Sequence, residues 1–347
     1  MINEALLKWY DVNARDMPWR IPPARSVKGV KPDPYHIWMS EVMLQQTTVA
    51  AVIRYFHAFL NRWPDVNALA NAEDADVMGE WAGLGYYARA RNLLKCARIV
   101  SADYGGDFPD TEAELLRLPG IGPYTAAAIS AIAFGRQSTV LDANVERVIS
   151  RLYAVTVPLP DSKSKLRILA NGLTPKNRPG DYAQAMMDLG ATICSQKPDC
   201  ETCPISSDCM AYKQGIAANL PRIRPKPAKP IRFGAAYFVQ RKDDAVLLET
   251  RPAKGLLGGM LALPSTEWTE QEYIEVPPVN ADWAMLPAPI KHTFTHFHLL
   301  LTIKIAVVDD DTIPTRGRFF AADGSIADKL PTVMRKAYIA GIAANGG

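Results

Sequence analysis

The chain has 347 residues, 48% hydrophobic and 22% charged, with a formal net charge of +3, which is the composition of an ordinary globular protein. No apolar run approaches the ~18 residues a membrane-spanning helix needs, so a membrane class is excluded. The first twenty residues show neither the apolar core nor the cleavage pattern of a secretory signal, so a cytoplasmic, nucleoid-associated location is expected. The length fits about two domains. Residues 1–232 carry 28 Lys+Arg against 23 Asp+Glu (+5), and residues 233–347 carry 11 against 13 (−2). A mildly basic first part fits a polyanion partner.

In chain order, residues 4–14 read as a short helix, and Met17-Pro18-Trp19-Arg20 follows. Residues 21–34 hold four prolines and read as a loop. Asp33-Pro34 supplies an N-cap and a first-turn proline for a helix from Tyr35 to about Leu44. Gln45-Gln46-Thr47 interrupts it, and Val49, Val52, Ile53, Phe56 and Phe59 mark an amphipathic helix. Further helical segments are expected over 72–83, 87–104 and 111–118. Pro119-Gly120-Ile121-Gly122 then forms a hairpin, with Pro123 in the first turn of a helix running to Gly135. After Thr139-Val140-Leu141 come Asp142-Ala143-Asn144 and helices near 145–152, 162–173 and 181–194.

Residues 221–232 carry four prolines and five basic residues and read as a stiff linker. Beyond it the hydrophobic period falls to two. A strand pair is expected over 234–240 and 245–250, a long strand from Phe297 to Val307, and a closing helix over 330–342. The expected organisation is a mainly α part over 1–220, a linker over 221–232 and a small α+β domain over 233–347.

Three constellations carry chemistry. Gly120 and Gly122 let the backbone turn tightly and leave N–H groups at a helix N-terminus, an anion site suited to phosphate; the alternative is an ordinary interhelical turn. Asp142 reads either as the N-cap of the helix after it or as a functional carboxylate. Glu41 lies in an otherwise apolar helix, where burial would raise its pKa; on an exposed helix face it would be ordinary. Together the two acids suggest glycosidic-bond chemistry, one protonating a leaving group and the other supporting a sugar cation. Cys194, Cys200, Cys203 and Cys209 form a Cys-x5-Cys-x2-Cys-x5-Cys set. This is a metal signal whose spacing does not separate zinc from an iron–sulfur cluster. Tyr86 follows a flexible Gly-Leu-Gly and could stack between bases, Tyr87 reads as core packing, and Arg89 and Arg91 read equally as phosphate contacts or solvated charges.

The ordered set MPWR, DPY, SEVMLQQT, WAGLGYYARARNL, LPGIGPYTA, LDANVERV, AMMDLGATIC and CETCP resembles the helix-hairpin-helix DNA glycosylases that carry a [4Fe-4S] cluster. Among them it is most similar to the branch acting on adenine mispaired with 8-oxoguanine or guanine. The resemblance implies two helical subdomains with an iron–sulfur loop at 194–209, ligated by the four cysteines, and a C-terminal Nudix-like domain. It implies that Glu41 protonates the adenine and Asp142 supports the sugar cation, with Tyr124 and Asn144 beside them. Arg20 and Asp188 would help hold the flipped base, while Gln46 and Tyr86 would enter the duplex. Phe294, Thr295 and His296 would read the lesion, and the partner would be double-stranded DNA bound by a monomer. Position 124 is a lysine in the related endonuclease III enzymes. A tyrosine cannot form a Schiff base, so the expected enzyme hydrolyses without cutting the strand.

The sequence departs from the family's pattern in three places. The first two cysteines are spaced by five residues rather than six, Thr295 stands where serine is usual, and loop 21–32 is longer. No Nudix-type glutamate cluster is present, so the second domain is expected to recognise rather than catalyse. Histidines 296 and 298 fall on one face of the expected strand but are not needed as metal ligands. An endonuclease-III-like mismatch glycosylase and a non-catalytic helix-hairpin-helix DNA-binding protein remain the alternatives.

Overall fold

Prolines and short polar caps set the helix starts through the first two thirds of the chain. The computed structural model describes residues 1–225, 227–252, 255–321 and 326–345, and the chain divides into two units, Met1–Pro225 and Lys226–Gly347. The first unit is helical: α1 (Ile2–Asn13), α2 (Pro23–Ser26), α3 (Pro34–Leu44), α4 (Val49–Arg62), α5 (Val66–Ala70), α6 (Asp74–Glu80), α7 (Ala88–Asp103), α8 (Glu112–Leu115), α9 (Pro123–Ile132), α10 (Ala143–Leu152), α11 (Lys163–Leu173), α12 (Pro179–Thr192) and α13 (Met210–Lys213). Pro34, Pro123 and Pro179 occupy first-turn positions, where the missing N–H costs nothing. Asp33, Asp65 and Asp142 each accept a backbone N–H of the first turn, at 2.8, 2.8 and 2.7 Å.

Several expected boundaries shift. The proline-rich loop contains the short helix α2, because Pro22-Pro23 favours a first turn as well as a break. The helix expected over 72–83 is the shorter α6, and α5, which was not expected, precedes it because Asp65 caps a helix earlier in the chain. The expected linker is docked at its start: the Leu159 N–H donates to Arg222 O at 2.8 Å, and the Arg224 N–H donates to Leu159 O at 3.0 Å. Its last two residues already belong to a strand, and its Lys226 lies outside the described residues.

The second unit is a seven-stranded sheet: β1 (Ile231–Arg241), β2 (Val246–Thr250), β3 (Leu261–Ala262), β4 (Ala284–Met285), β5 (Ile290–Thr293), β6 (His298–Val308) and β7 (Arg318–Phe320). The order is β3-β2-β1-β6-β4, with β5 also on β6 and β7 also on β2. β1 and β6 run parallel in register from Ile231↔His298 to Arg241↔Val308, and β1 is buried on both faces. Ala236 and Phe238 face one core with Val333, Met334 and Ala337. Ala235, Tyr237 and Val239 face another with Leu247 and Val279. The expected closing helix is α15 (Thr332–Asn345), which begins just after Pro331, and a short helix that was not expected, α14 (Ile326–Lys329), precedes it. His298 opens β6 and His296 lies before it in the turn, so the two do not share a strand face.

Candidate active site

α3 is apolar on almost every side. Tyr35 and every residue from Ile37 to Met43 are buried, leaving no solvent face for Glu41 to occupy. Glu41 is therefore 6% exposed, and its carboxyl is pushed up to about 7. Burial is the main cause and the neighbouring Asp142 charge adds to it, while a hydrogen bond from the Tyr124 hydroxyl and the Arg20 charge oppose it. The exposed-face reading of Glu41 is thus excluded.

Asp142 reaches the same cleft by another route. It caps α10: Oδ1 accepts the Val145 N–H at 2.7 Å and Oδ2 accepts the Asn144 amide at 2.9 Å. Burial raises its pKa, and these hydrogen bonds and the Arg147 charge oppose the rise. The helix N-terminus adds a partial positive charge that favours the anion. The cap reading of Asp142 thus holds, and the same carboxylate lines the cleft that Glu41 lines.

Tyr124 follows the hairpin at the second position of α9, with Gly122 as N-cap. Burial first, then the Glu41 and Asp142 charges, hold its phenol well above the usual range, so it remains a donor. The hydroxyl also lies 3.5 Å from Met187 Sδ. Arg20, Glu41, Gln46, Tyr124, Asp142 and Asn144 together line one cleft of about 840 Å³.

Asp188 does not line that cleft. It is fully buried beneath it, its Oδ1 2.6 Å from Arg15 and its Oδ2 2.7 Å from Arg20. It acts on the cleft through Arg20. Arg15 was missed in the sequence, since nothing local marks a partner 173 residues away. Arg147 was also missed, although it sits one helical turn from Asn144. Its guanidinium donates to Asn144 Oδ1 (2.8 Å), Gly190 O (2.6 Å) and Cys194 O (2.8 Å). α12 comes this close because position 190 is glycine: a Cβ there would lie 2.7 Å from Asn144 Cβ.

Of the hairpin glycines, Gly120 has φ +78° and needs glycine, while Gly122 has φ −96° and does not. With nothing within 4 Å of a Cβ built at Gly122, the absent side chain leaves the amide edge of the α9 N-terminus open. Gln46 and Tyr86 are both exposed and both left-handed, with φ of 59° and 49°. Tyr86 lies outside the cleft, and Tyr87 packs against the core. Arg89 meets neither of its expectations: it is buried against backbone carbonyls.

Cys194, Cys200, Cys203 and Cys209 line one small cavity of about 20 Å³. Among the described residues, no three His, Cys, Asp or Glu are grouped so as to hold a single metal ion. Arg151, buried on α10, donates to Cys194 Sγ at 3.3 Å, Cys194 O at 3.1 Å and Ser195 O at 2.6 Å.

In the second unit, Thr295 and His296 are exposed in the turn joining β5 to β6. Phe294 is anchored by His292, Phe297 and Trp268, with ring centroids 4.6, 4.8 and 5.6 Å away.

Residues 39–175 match the HhH-GPD superfamily of base excision DNA repair proteins, and residues 235–340 match the NUDIX domain. An adenine DNA glycosylase of Homo sapiens is 33% identical over 96% of this chain and 72% of that protein. One of Buchnera aphidicola (subsp. Acyrthosiphon pisum) is 32% identical over 86% of this chain and 84% of that protein. The chain belongs to the adenine DNA glycosylase family. A solved thermostable thymine-DNA glycosylase, 31% identical, superimposes with a TM-score of 0.53 over 61% of this chain and 95% of its own. A trapped endonuclease III–DNA intermediate, 22% identical, superimposes at 0.51 over 62% and 95% and shares the fold. Among the described residues no helix is long and apolar enough to cross a membrane.

Proposed function

We propose that this chain hydrolyses the N-glycosidic bond of adenine mispaired with 8-oxoguanine or guanine in duplex DNA, as a monofunctional glycosylase. The observation that carries the reading is a single cleft lined by two carboxylates, of which Asp142 alone is held as a helix cap. Glu41, desolvated on α3 and pushed up to about 7, is the acid. It gives its proton to a ring nitrogen of the base, so that the base departs neutral. Asp142, held by two N–H donors at a helix N-terminus, supports the cation left on the sugar. Tyr124 and Asn144 hold these two groups in place, and Arg20, fixed by Asp188, faces the extruded base. Water then completes hydrolysis at the sugar. With tyrosine at 124 no amine is available for a Schiff base, so borohydride should not trap the protein on DNA.

Gln46 and Tyr86 are the side chains assigned to the duplex, and the open amides at Gly120–Gly122 suit a backbone phosphate. In the second unit, Phe294, Thr295 and His296 are assigned to the base opposite adenine. The four cysteines fit a [4Fe-4S] cluster. All four line one small cavity beside Arg151, and four thiols are the donor set such a cluster takes. Arg151 supplies the kind of sulfur hydrogen bond such clusters use. When bound, the group would pin the loop at 194–209. No step of the hydrolysis is assigned to it. The protein is expected to act as a monomer.

Glu41→Gln is the test. It should bind an A:8-oxoguanine duplex as tightly as the parent and lose on the order of 10³-fold in single-turnover adenine release, within the range general acids contribute. Undiminished release would remove Glu41 from the mechanism.

A further inference from the structure

Arg89 is a buried cation with no acidic partner among the described residues. Its Nη1 donates to Val42 O (3.0 Å) and Met43 O (2.8 Å), among the last carbonyls of α3, which have no partner within the helix. Its Nη2 donates to Thr47 Oγ1 (3.2 Å), Leu84 O (3.0 Å) and Gly85 O (3.2 Å). The guanidinium lies 5.6 Å from the Tyr86 ring centroid and 5.2 Å from that of Trp81. Only its Nε lacks a partner.

Its place in α7 opposes local preference. Arg89 is the second residue of that helix, where the dipole disfavours a cation. The same charge is favourable at the C-terminal end of α3, so the tertiary contacts account for the arginine. Those contacts bracket two strained residues. Gln46, left-handed at φ 59°, lies between Met43 and Thr47. Tyr86, left-handed at φ 49°, directly follows Leu84 and Gly85. A non-glycine residue held there is strained and persists where its surroundings over-determine it. Trp81 adds to the clamp, its Nε1 donating to Gly85 O at 3.0 Å, as does Tyr55, whose hydroxyl donates to Ala82 O at 2.8 Å.

We infer that Arg89 is a positioning residue for base extrusion, one side chain that fixes the Gln46 and Tyr86 loops to each other and to the end of the helix carrying Glu41. This rests on the reading that Gln46 and Tyr86 enter the duplex. A guanidinium is suited to the task because its planar fork serves five acceptors on three segments at once, which an ammonium cannot do.

The experiment compares two substrates under single-turnover conditions with saturating enzyme. One is a duplex with adenine opposite 8-oxoguanine; the other is a duplex with the same adenine in a one-nucleotide bulge, already unpaired. Arg89→Met should slow release from the mispair on the order of 100-fold, the scale of a flipping cost of a few kcal/mol, and from the bulge no more than about threefold. Arg89→Lys, which keeps the charge with fewer donors, should show the same bias at about tenfold. Should the methionine variant not fold, the lysine variant carries the comparison alone. An equal loss on both substrates, or no loss on the mispair, overturns the inference. If the parent protein releases adenine from neither substrate, it is the proposed function that fails.

Discussion

The two units treat charge in opposite ways. The helical unit buries Glu41, Arg89, Glu146, Arg151, Asp181 and Asp188, whereas the buried polar residues described in the sheet unit are the uncharged Ser265 and Thr266. Taking an ion out of water costs several kcal/mol even after relaxation, so a fold keeps such groups only where each is held or used. In the helical unit Asp188 is held by Arg15 and Arg20, Asp181 by Ser26 and Arg178, and Arg151 by the carbonyls of the cysteine loop. Glu41 is the exception, desolvated with only partial relief. The sheet unit leaves its ring-packed arginines at least partly exposed, Arg232 on Phe297, Arg251 on Trp268 and Arg318 on Phe320. One unit is thus built to hold charge in a dry place, and the other to offer a surface.

The contrast can be broken most forcefully at Asp188. Asp188→Asn would leave Arg15 and Arg20 without their shared carboxylate and should cost about 3–5 kcal/mol in denaturant unfolding. A loss under ~1 kcal/mol would mean these buried charges are not coupled as the geometry indicates. A slightly smaller effect is expected from Glu41, and it depends on pH. Its carboxyl rises from the ordinary glutamate value of 4.5 to about 7, so folding favours the protonated form. That contribution is complete below pH 4.5 and is lost as pH rises through 7, leaving a cost of ~3 kcal/mol from one ionised buried acid. Thermal unfolding of Glu41→Gln against the parent should therefore show little difference at pH 4.5 and a clear stabilisation at pH 8. Release of adenine by the parent should fall over the same interval as the acid loses its proton. A pH-independent stability difference would place Glu41 in a more solvated setting. The smallest effect belongs to the sheet unit. Lys304 pairs with Glu275 at its surface, and Lys304→Ala should change stability by less than ~1 kcal/mol. A loss comparable to that of Asp188→Asn would erase the distinction between the units.

What the sequence revealed of the site was whatever is encoded locally. An unbroken apolar run around Glu41 leaves nowhere outside for it to go, and Asp142 before a helix is a cap on any reading. The strand alternation of β6 and the proline starts of α3 and α9 are equally local. Long-range pairing is not encoded that way. Arg15 and Asp188 meet across almost the whole helical unit, and Arg89 read equally as a phosphate contact or a solvated charge because its five acceptors, four carbonyls and a hydroxyl, lie on other segments. Position 190 carried no signal either, since the need for glycine there arises from Asn144 on a different helix. α5 was missed because five residues are too few to show a period.

The double duty of Asp142 has a consequence for how this catalyst could be lost. Most changes there would fray the start of α10 as well as remove the negative charge. Asparagine caps helices about as well as aspartate does, so exchanging one oxygen for an amide would spare the architecture while silencing the reaction. On the proposed mechanism, a single such exchange would leave a protein still able to grip duplex DNA and unable to release the base.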